Sequence, residues 1–555
     1  MNDIFTNINS IKPRLLLVEN DPIARVSYQA LLLEWGYEPV LAMGLGSALQ
    51  KNAKELAAQK RCTLALIDLR LVDDDDEQDT TGLALAEEMK PNLHPIILSG
   101  HEDRRFLKDM LRYHKDIPFV GKQDRREELQ RILNQEAAKV SAAKRSLVFE
   151  QTDVLSEFLE SDFVKEVGEF SDQIVDVLAQ LFPTASMLRF EKLSLSKESS
   201  EVSSAIRPNS IVLKVHEDSL EPCIVKLARA GKIQQEVKRY YQFISRKLTG
   251  NFNAQLIEHA ILWDVGGAAY SFVSGQGTRT FTNFYKERSI DDIKEVLRSF
   301  FCDIWSKYYS VSKPKDEEEE KEEPTKSLFD LYLQTWGQDW YEKWVKELFS
   351  KDLRRAESVL NAYHLPHPLE WLRNKVAETL LDASKTTPLR VAVTHGDLHG
   401  DNLLVDDRKN VWVIDFERCG EGHALQDFIE LEADILNRLL GNNVNPPAYF
   451  KMCMTIFKQG KIQEFHESET ISSDANVEKA LKTISFLRGL ALQCTGITDA
   501  REYLFGLLFN TIFQAALVCK EGLQKSERPL LLAGFICHRL DQWDQPWPPE
   551  NWNLS

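Results

Sequence analysis

Residues 393–402 read VTHGDLHGDN, and residues 411–417 read VWVIDFE. Two histidines, two aspartates and an asparagine stand there between apolar runs, so three uses compete: a metal cage, a phosphoryl-transfer loop and a solvated turn. His395 and His399 are four apart, as in a helical zinc pair. Gly396 and Gly400 beside them argue against a helix, and no cysteine or glutamate stands at ligand spacing. Phosphoryl transfer accounts for more of the residues. It needs a carboxylate to take the proton of the attacking group, oxygen ligands for magnesium, and a lysine held by an acidic partner. Asp397 offers the base, and Asn402 and Asp415 offer oxygen ligands. Lys226 in CIVKLAR, with Glu236 ten residues on, offers the paired lysine.

A second set of chemical groups lies upstream: Glu19-Asn20-Asp21, Asp68, Ser99 and Lys122. A carboxylate attacks phosphorus only where a divalent cation and a lysine offset the charge that collects there. This set offers carboxylates, an amide, a hydroxyl and a lysine.

The elements that must hold these groups follow from periodicity. Over 13–135, strand-like runs (RLLLV 14–18, TLALIDL 63–69, PIILSG 95–100, IPFVGK 117–122) alternate with amphipathic helices, the last being REELQRILNQEAAKVSAAKR. Such alternation predicts a parallel sheet covered on both faces. Functional groups of such a sheet gather beyond the carboxyl ends of its strands, where the second set stands. Residues 136–185 read as a helical connector. Residues 186–275 read as strands (MLRFEKLSL, SIVLKVHE, PCIVKLAR, AILWD, AAYSFVSG) interrupted by the helix GKIQQEVKRYYQFISRKL. From 276 to 555 the pattern is mostly helical, with NLLVDD and VWVIDF as short strands. Residues 1–12 read as a tail, and KPKDEEEEKEEPTK (313–326) as a solvated, mobile loop. Trp336, Trp340 and Trp344 recur at helical spacing and read as core. His423 reads as a satisfied structural histidine and Asp401 as a solvated loop residue.

The upstream set resembles a response-regulator receiver domain in order and spacing over 13–135. The resemblance implies that Asp68 is the phosphoacceptor and that Glu19 and Asn20, with Asp21 adjacent, bind magnesium. Ser99 would be the switch hydroxyl and Lys122 the contact to phosphoryl oxygens. Asn20 brings a neutral carbonyl oxygen where a carboxylate is usual, and Gln123 stands where receivers usually have proline. HGDLHGDN followed by IDFE resembles the aminoglycoside phosphotransferase and choline kinase group, a branch of the protein-kinase-like fold, over 186–540. That implies Asp397 as catalytic base, with Asn402 and Asp415 on magnesium. Lys226, held by Glu236, would grip the nucleotide phosphates of ATP. Ala269, Tyr270, Ser271, Phe272 and Val273 would form the hinge whose backbone receives adenine, and His395 and Asp427 would support the loop. One departure stands out: LSLSKESSEVSSAI (193–206), where a glycine-rich phosphate-covering turn is expected, has no glycine.

Bulk properties narrow the classes. The 555 residues suffice for about three or four domains. The charge, 68 − 85 = −17, repels nucleic-acid backbones, so nucleic acid is not an expected partner. No apolar run approaches the ~18 residues that span a bilayer, so no membrane partner is expected either. Eight scattered cysteines without a CxxC pair suit reduced thiols, and the amino terminus shows no export pattern. The prediction is multidomain: a doubly wound α/β receiver of flavodoxin-like type, then a two-lobed α+β kinase-like domain. Such a cytoplasmic signalling protein would move the γ-phosphoryl group of ATP, with Mg2+, onto a hydroxyl or amine of a small molecule or protein. Its receiver, phosphorylated by a histidine kinase or a small phosphodonor, would regulate it and support a homodimer. The other class is a pseudoenzyme whose degenerate domains bind nucleotide or protein partners as a scaffold. Asn20 and the glycine-free loop favour that class, while Asp397, Asn402 and Asp415 oppose it.

Overall fold

Successive residues of a strand face opposite sides, and here both sides are apolar. Leu15 and Leu17 of β1 (Arg14–Val18) join Leu64 and Leu66 of β3 (Leu64–Asp68) and Ile96 and Leu98 of β4 (His94–Ser99) in one core. Leu32 of α1 (Pro22–Glu34) and Leu129, Leu133 and Ala137 of α4 (Arg126–Val140) close that core. Leu16, Val18, Ala65, Ile67 and Ile97 form the other, covered by α2 (Gly46–Lys60) and α3 (Thr81–Met89). With β2 (Glu38–Leu41) and β5 (Phe119–Gly121) the strands pair in parallel in the order β2-β1-β3-β4-β5. This is a doubly wound order, and both faces of β1, β3 and β4 are covered, which is why those strands read as continuous apolar runs. Periodicity predicts only four strands. The edge strand β2, EPVL, carries Glu38 and Pro39 and is half-exposed, so its pattern is weak.

The protein's computed structural model describes residues 11–73, 76, 79–90, 92–100, 116–145, 147–152, 162–192, 206–207, 210–218, 221–245, 254–271, 277–309, 328, 331–332, 360–377, 390–441, 444, 446–465, 474–519 and 523–547. The expectations placed on 1–10, 193–205, Phe272, Val273, 313–326, Trp336, Trp340 and Trp344 lie outside the described residues. The chain divides into two units: Met1–Ser194 with Glu198–Lys238 and Gln255–Phe272, and the remainder.

The first unit also holds a mostly antiparallel sheet in the order β11-β12-β10-β9-β7-β6. Its strands are β6 (Val148–Glu150), β7 (Met187–Lys192), β9 (Ser210–Glu217), β10 (Cys223–Arg229), β11 (Leu256–Leu262) and β12 (Val265–Ser271), with the two-residue β8 (Ile206–Arg207) beside β9. The expectation of helix throughout the connector is corrected at β6, which pairs in parallel with β7. Three residues are too few for a period to register. On one face of β12 packs α5 (Asp172–Leu181), and on the other α6 (Ala230–Arg239). A Cβ on Gly267 would lie 2.8 Å from Val177 and Leu181, and one on Gly266 would lie 2.8 Å from Ile233. The two adjacent glycines let both helices close on the strand.

α5 carries a buried carboxyl, Asp176, which accepts a hydrogen bond from the Ala142 N–H at 2.9 Å. Burial, then the nearby Asp172, pushes its pKa up to about 7. The folded chain therefore binds more protons than the unfolded chain between the ordinary carboxylate range and about 7, so this group's effect is to lower stability as pH rises across that window. Asp176→Asn keeps the acceptor and removes the charge. In denaturant unfolding at about pH 5 and about pH 8, the variant is expected to gain on wild type at the higher pH. An equal difference at both would refute this.

The second unit is mainly helical. It includes α7 (Gln426–Asp434), α8 (Ala475–Thr495) and α9 (Ala500–Cys519). Two small sheets join it: β13 (Arg279–Thr280), β15 (Leu403–Val405) and β16 (Val411–Val413) form one, and β14 (Val391–Thr394) with β17 (Gly420–His423) the other. Among the described residues, no helix is long and apolar enough to cross a membrane.

Candidate active site

The quoted stretch runs out of β14 as a loop and into the hairpin β15–β16. Within that hairpin Leu403 faces Val413, and the Ile414 N–H donates to the Asn402 carbonyl at 3.1 Å. The two candidate magnesium ligands, Asn402 and Asp415, thus leave the same end of one hairpin. Asp415 has φ +69, a left-handed conformation that costs a non-glycine residue about 1 kcal/mol or more. The buried Phe416 anchors the far side of this bend. Gly396 has φ +76, and a Cβ there would sit 2.5 Å from the Arg418 carbonyl oxygen, so only glycine fits.

A row of carboxylates holds the loop. Asp427 accepts from the N–H groups of His395 and Gly396, both at 3.0 Å, and from the Tyr309 hydroxyl at 2.6 Å. Glu430 accepts from Leu398 N–H at 2.6 Å, and Asp434 from Gly400 N–H at 2.8 Å. These acids are three and four residues apart along α7, hence on one face. The family resemblance singles out Asp427 alone, although QDFIELEAD displays the spacing of all three. Burial pushes the carboxyls of Asp427 and Glu430 up. Burial acts on Asp434 too, but Arg438, at 2.6 Å, overrides it and holds that carboxyl down. Arg438 also pairs with Asp401 at 2.7 Å, which is therefore not merely solvated. His395 is fully buried, its Nε2 2.9 Å from the Ile414 carbonyl. His423 is buried between Glu502 (2.8 Å) and the Tyr332 hydroxyl (3.2 Å). Asp427→Ala is expected to speed hydrogen exchange at His395 and Gly396 by about tenfold or more while sparing Leu398, whose partner is Glu430. Uniform exchange across 395–400 in the variant and wild type would contradict the brace.

Asp397 is partly exposed at the centre of this loop. The buried Asn402 donates from Nδ2 to its carbonyl at 2.8 Å. Arg418 Nη1 lies 3.3 Å from Asp397 Oδ1, and His399 Nε2 lies 4.0 Å from Oδ2. Arg418 stands three residues after Asp415 and carries no motif signal of its own. Its guanidinium fixes the orientation of the carboxylate that the motif singles out.

In the first unit, β10 holds Lys226 and α6 holds Glu236, both buried. Lys226 Nζ meets Glu236 Oε2 at 2.7 Å, and the Tyr270 hydroxyl donates to Oε1 at 2.6 Å. A buried ion pair persists only when its remaining valences are satisfied, and Tyr270 contributes to that. The expectation that Ala269, Tyr270 and Ser271 offer backbone to adenine is corrected. β12 is an interior strand: Ala269 faces Val225 and Glu258, and Tyr270 faces Ile224 and Leu256. Ser271 faces Cys223, and its N–H donates to the Gln255 carbonyl at 2.8 Å. The sheet uses this backbone.

The upstream set gathers at the carboxyl ends of β1, β3, β4 and β5. Lys122 Nζ lies 2.8 Å from Asp68 Oδ2 and 3.0 Å from Glu19 Oε2. Burial and Glu19 raise the Asp68 pKa to about 7 against the pull of Lys122. Two carboxylates sharing one ammonium are chemistry that a divalent cation would complete. Buried Ser99 ends β4, and its carbonyl accepts the Lys122 N–H at 2.8 Å. Asn20 follows Glu19 directly. Exposed Asp21 caps α1 instead, its Oδ1 accepting from Ile23 N–H at 2.8 Å.

Residues 335–512 match the family model described as ternary complex associated domain 9, less than half of the chain. No curated protein matches. Among solved structures, a thermostable mutant of aminoglycoside phosphotransferase APH(4)-Ia is 12% identical, covering 65% of this chain and 97% of its own at a TM-score of 0.37. An ethanolamine kinase of Plasmodium vivax is 13% identical, covering 77% and 96% at a TM-score of 0.33. A response regulator from Thermotoga maritima is 14% identical, covering 22% and 97% at a TM-score of 0.19. Likenesses of this size decide nothing by themselves, and the chemistry stands on the residues.

Proposed function

We propose that the chain is a magnesium- and ATP-dependent phosphotransferase acting on a hydroxyl or amine of a small molecule or protein. The observation that carries this reading is the hairpin that brings Asn402 and Asp415 out at one end, with Asn402 tied to Asp397. The residue types suit such a group: oxygen ligands for a hard cation in the second unit, and in the first a buried lysine whose acidic partner is doubly held. A bound magnesium nucleotide would supply the phosphoryl group. Lys226 would grip its phosphate oxygens, Asp397 would take the acceptor's proton, and Arg418 would keep the Asp397 carboxylate in one orientation. Titration calorimetry with ATP, with and without magnesium, tests the reading. Metal-dependent binding with turnover supports it. Binding without turnover leaves a pseudoenzyme scaffold, and no binding removes the reading.

The amino-terminal domain is proposed as a receiver in the cytoplasm. Asp68 would accept a phosphoryl group from a histidine kinase or a small phosphodonor, with Glu19 and Asn20 on the cation and Ser99 and Lys122 on the phosphoryl oxygens. The support is the meeting of Glu19, Asp68 and Lys122. A homodimer through this domain is part of the same proposal.

A further inference from the structure

Four described non-glycine residues of the first unit have a positive φ, a backbone that glycine usually occupies, and two of them are Arg61 and Trp263. Arg61 ends α2 with φ +53, and Trp263 opens the two-residue turn between β11 and β12 with φ +50. Helix ends and hairpin turns of this kind favour glycine, because a Cβ there is strained. Here both positions carry large side chains, and those side chains meet. Trp263 Nε1 donates to the Cys62 carbonyl at 2.8 Å, although 201 residues separate them. The Arg61 guanidinium lies 5.7 Å from the Trp263 ring centre and pairs with Asp264, the other residue of the turn. Trp263 also packs against the apolar core that β1, β3 and β4 share with α2 and α3.

The contact is wider than the turn. Arg61 and Arg14 both stand over the Phe170 ring, at 5.6 and 5.1 Å. Arg14 reaches both carboxylate oxygens of Asp172, at 3.0 and 2.9 Å, and the pair is mostly buried. Asp172 opens α5, whose side chains lie on Gly267 of β12. Arg14 begins β1, and Cys62 stands just before β3. The surface is thus the amino-terminal edge of the doubly wound sheet, at the other end of the strands that carry Glu19 and Asp68.

The hairpin held in this way leads to the lysine. From Trp263 to Tyr270 is seven residues, roughly 23 Å of strand. Tyr270 donates to Glu236, which pairs with Lys226, and Lys226 faces Ala268 across the same strand. We infer that the doubly wound domain grips the β11–β12 turn by the amino-terminal edge of its sheet, and that this grip sets the position of the Lys226–Glu236–Tyr270 group. The domain is then a fixed support for β12, not a module swinging on its connector. The second half of the inference rests on the proposed role of Lys226 in gripping nucleotide, while the grip itself does not.

Trp263→Gly separates the readings because it relieves the strained φ while deleting the indole. If the turn were only a turn, glycine would leave the hairpin as tight or tighter. The grip predicts instead that hydrogen exchange across 256–271 in the full chain rises about tenfold, and Arg61→Gly should do the same. Tyr270→Phe should leave exchange across 256–264 unchanged. All three should weaken magnesium–ATP binding several-fold relative to wild type. Exchange at 256–271 unchanged or slower in both glycine variants overturns the grip. Faster exchange with unaltered nucleotide affinity overturns the positioning of Lys226. Faster exchange in a chain whose wild type binds no nucleotide keeps the grip and removes the phosphotransferase reading.

Discussion

Asp397→Ala is expected to bind magnesium–ATP as wild type does and to lose turnover by a factor of about a hundred to ten thousand. Asp397 stands partly exposed on a loop whose backbone N–H groups are held by Asp427, Glu430 and Asp434, so deleting one carboxylate leaves the loop in place. Its role under the proposed chemistry is to take a proton, not to hold nucleotide. Asp415→Ala should behave in the opposite way and abolish metal-dependent binding, since it removes a charged oxygen ligand for a hard cation. Arg418→Ala should fall between them, with binding kept and turnover reduced, because it frees the Asp397 carboxylate to rotate. Calorimetry and product formation, measured on the same preparations, separate binding from transfer. If Asp397→Ala and Asp415→Ala lose binding equally, the division of roles is wrong. If both keep full turnover, the loop is not the reaction centre.

The largest expected effect on stability lies one helix face away. Glu432 of α7 is fully buried and accepts from Arg488 Nη2 at 2.7 Å, Arg488 Nε at 3.0 Å and the Tyr503 hydroxyl at 2.8 Å. Arg488 is itself 2% exposed, donates to the Ile456 carbonyl at 3.1 Å and lies 4.8 Å from the centre of the Tyr503 ring. Removing the guanidinium strands a charged carboxylate among apolar neighbours, so Arg488→Ala should cost about 3–5 kcal/mol. Replacing both partners, Arg488→Met with Glu432→Leu, should recover most of that, because no uncompensated charge remains. Denaturant midpoints of the single and double variants test this. A single variant that loses less than about 1 kcal/mol would mean that water reaches Glu432. Since Glu432 shares α7 with the acids that hold the loop, the single variant should also speed exchange at 395–400.

Much of the architecture is written locally. The amino-terminal strands are legible because both faces of each are covered, so apolar residues run without interruption. The loop at 395–402 and the strand before Asp415 are legible because base, amide and carboxylate lie within one hairpin's length of each other. Glycine at 396 announces a turn because its φ admits little else. These properties depend on neighbours in sequence, and periodicity and spacing record them. β2 and β6 escape because an edge strand of three or four residues has too little pattern. Ala269, Tyr270 and Ser271 look like an open hinge until β11 and β10 are seen to flank them. Arg418 beside Asp397, Tyr270 on Glu236 and Trp263 on Cys62 leave no mark in the pattern at all. A charge, a phenol or an indole has the same local signature whether it faces water or a distant partner. Only the folded packing, which brings residues 21, 34 and 201 positions apart into hydrogen-bond range, decides which it does.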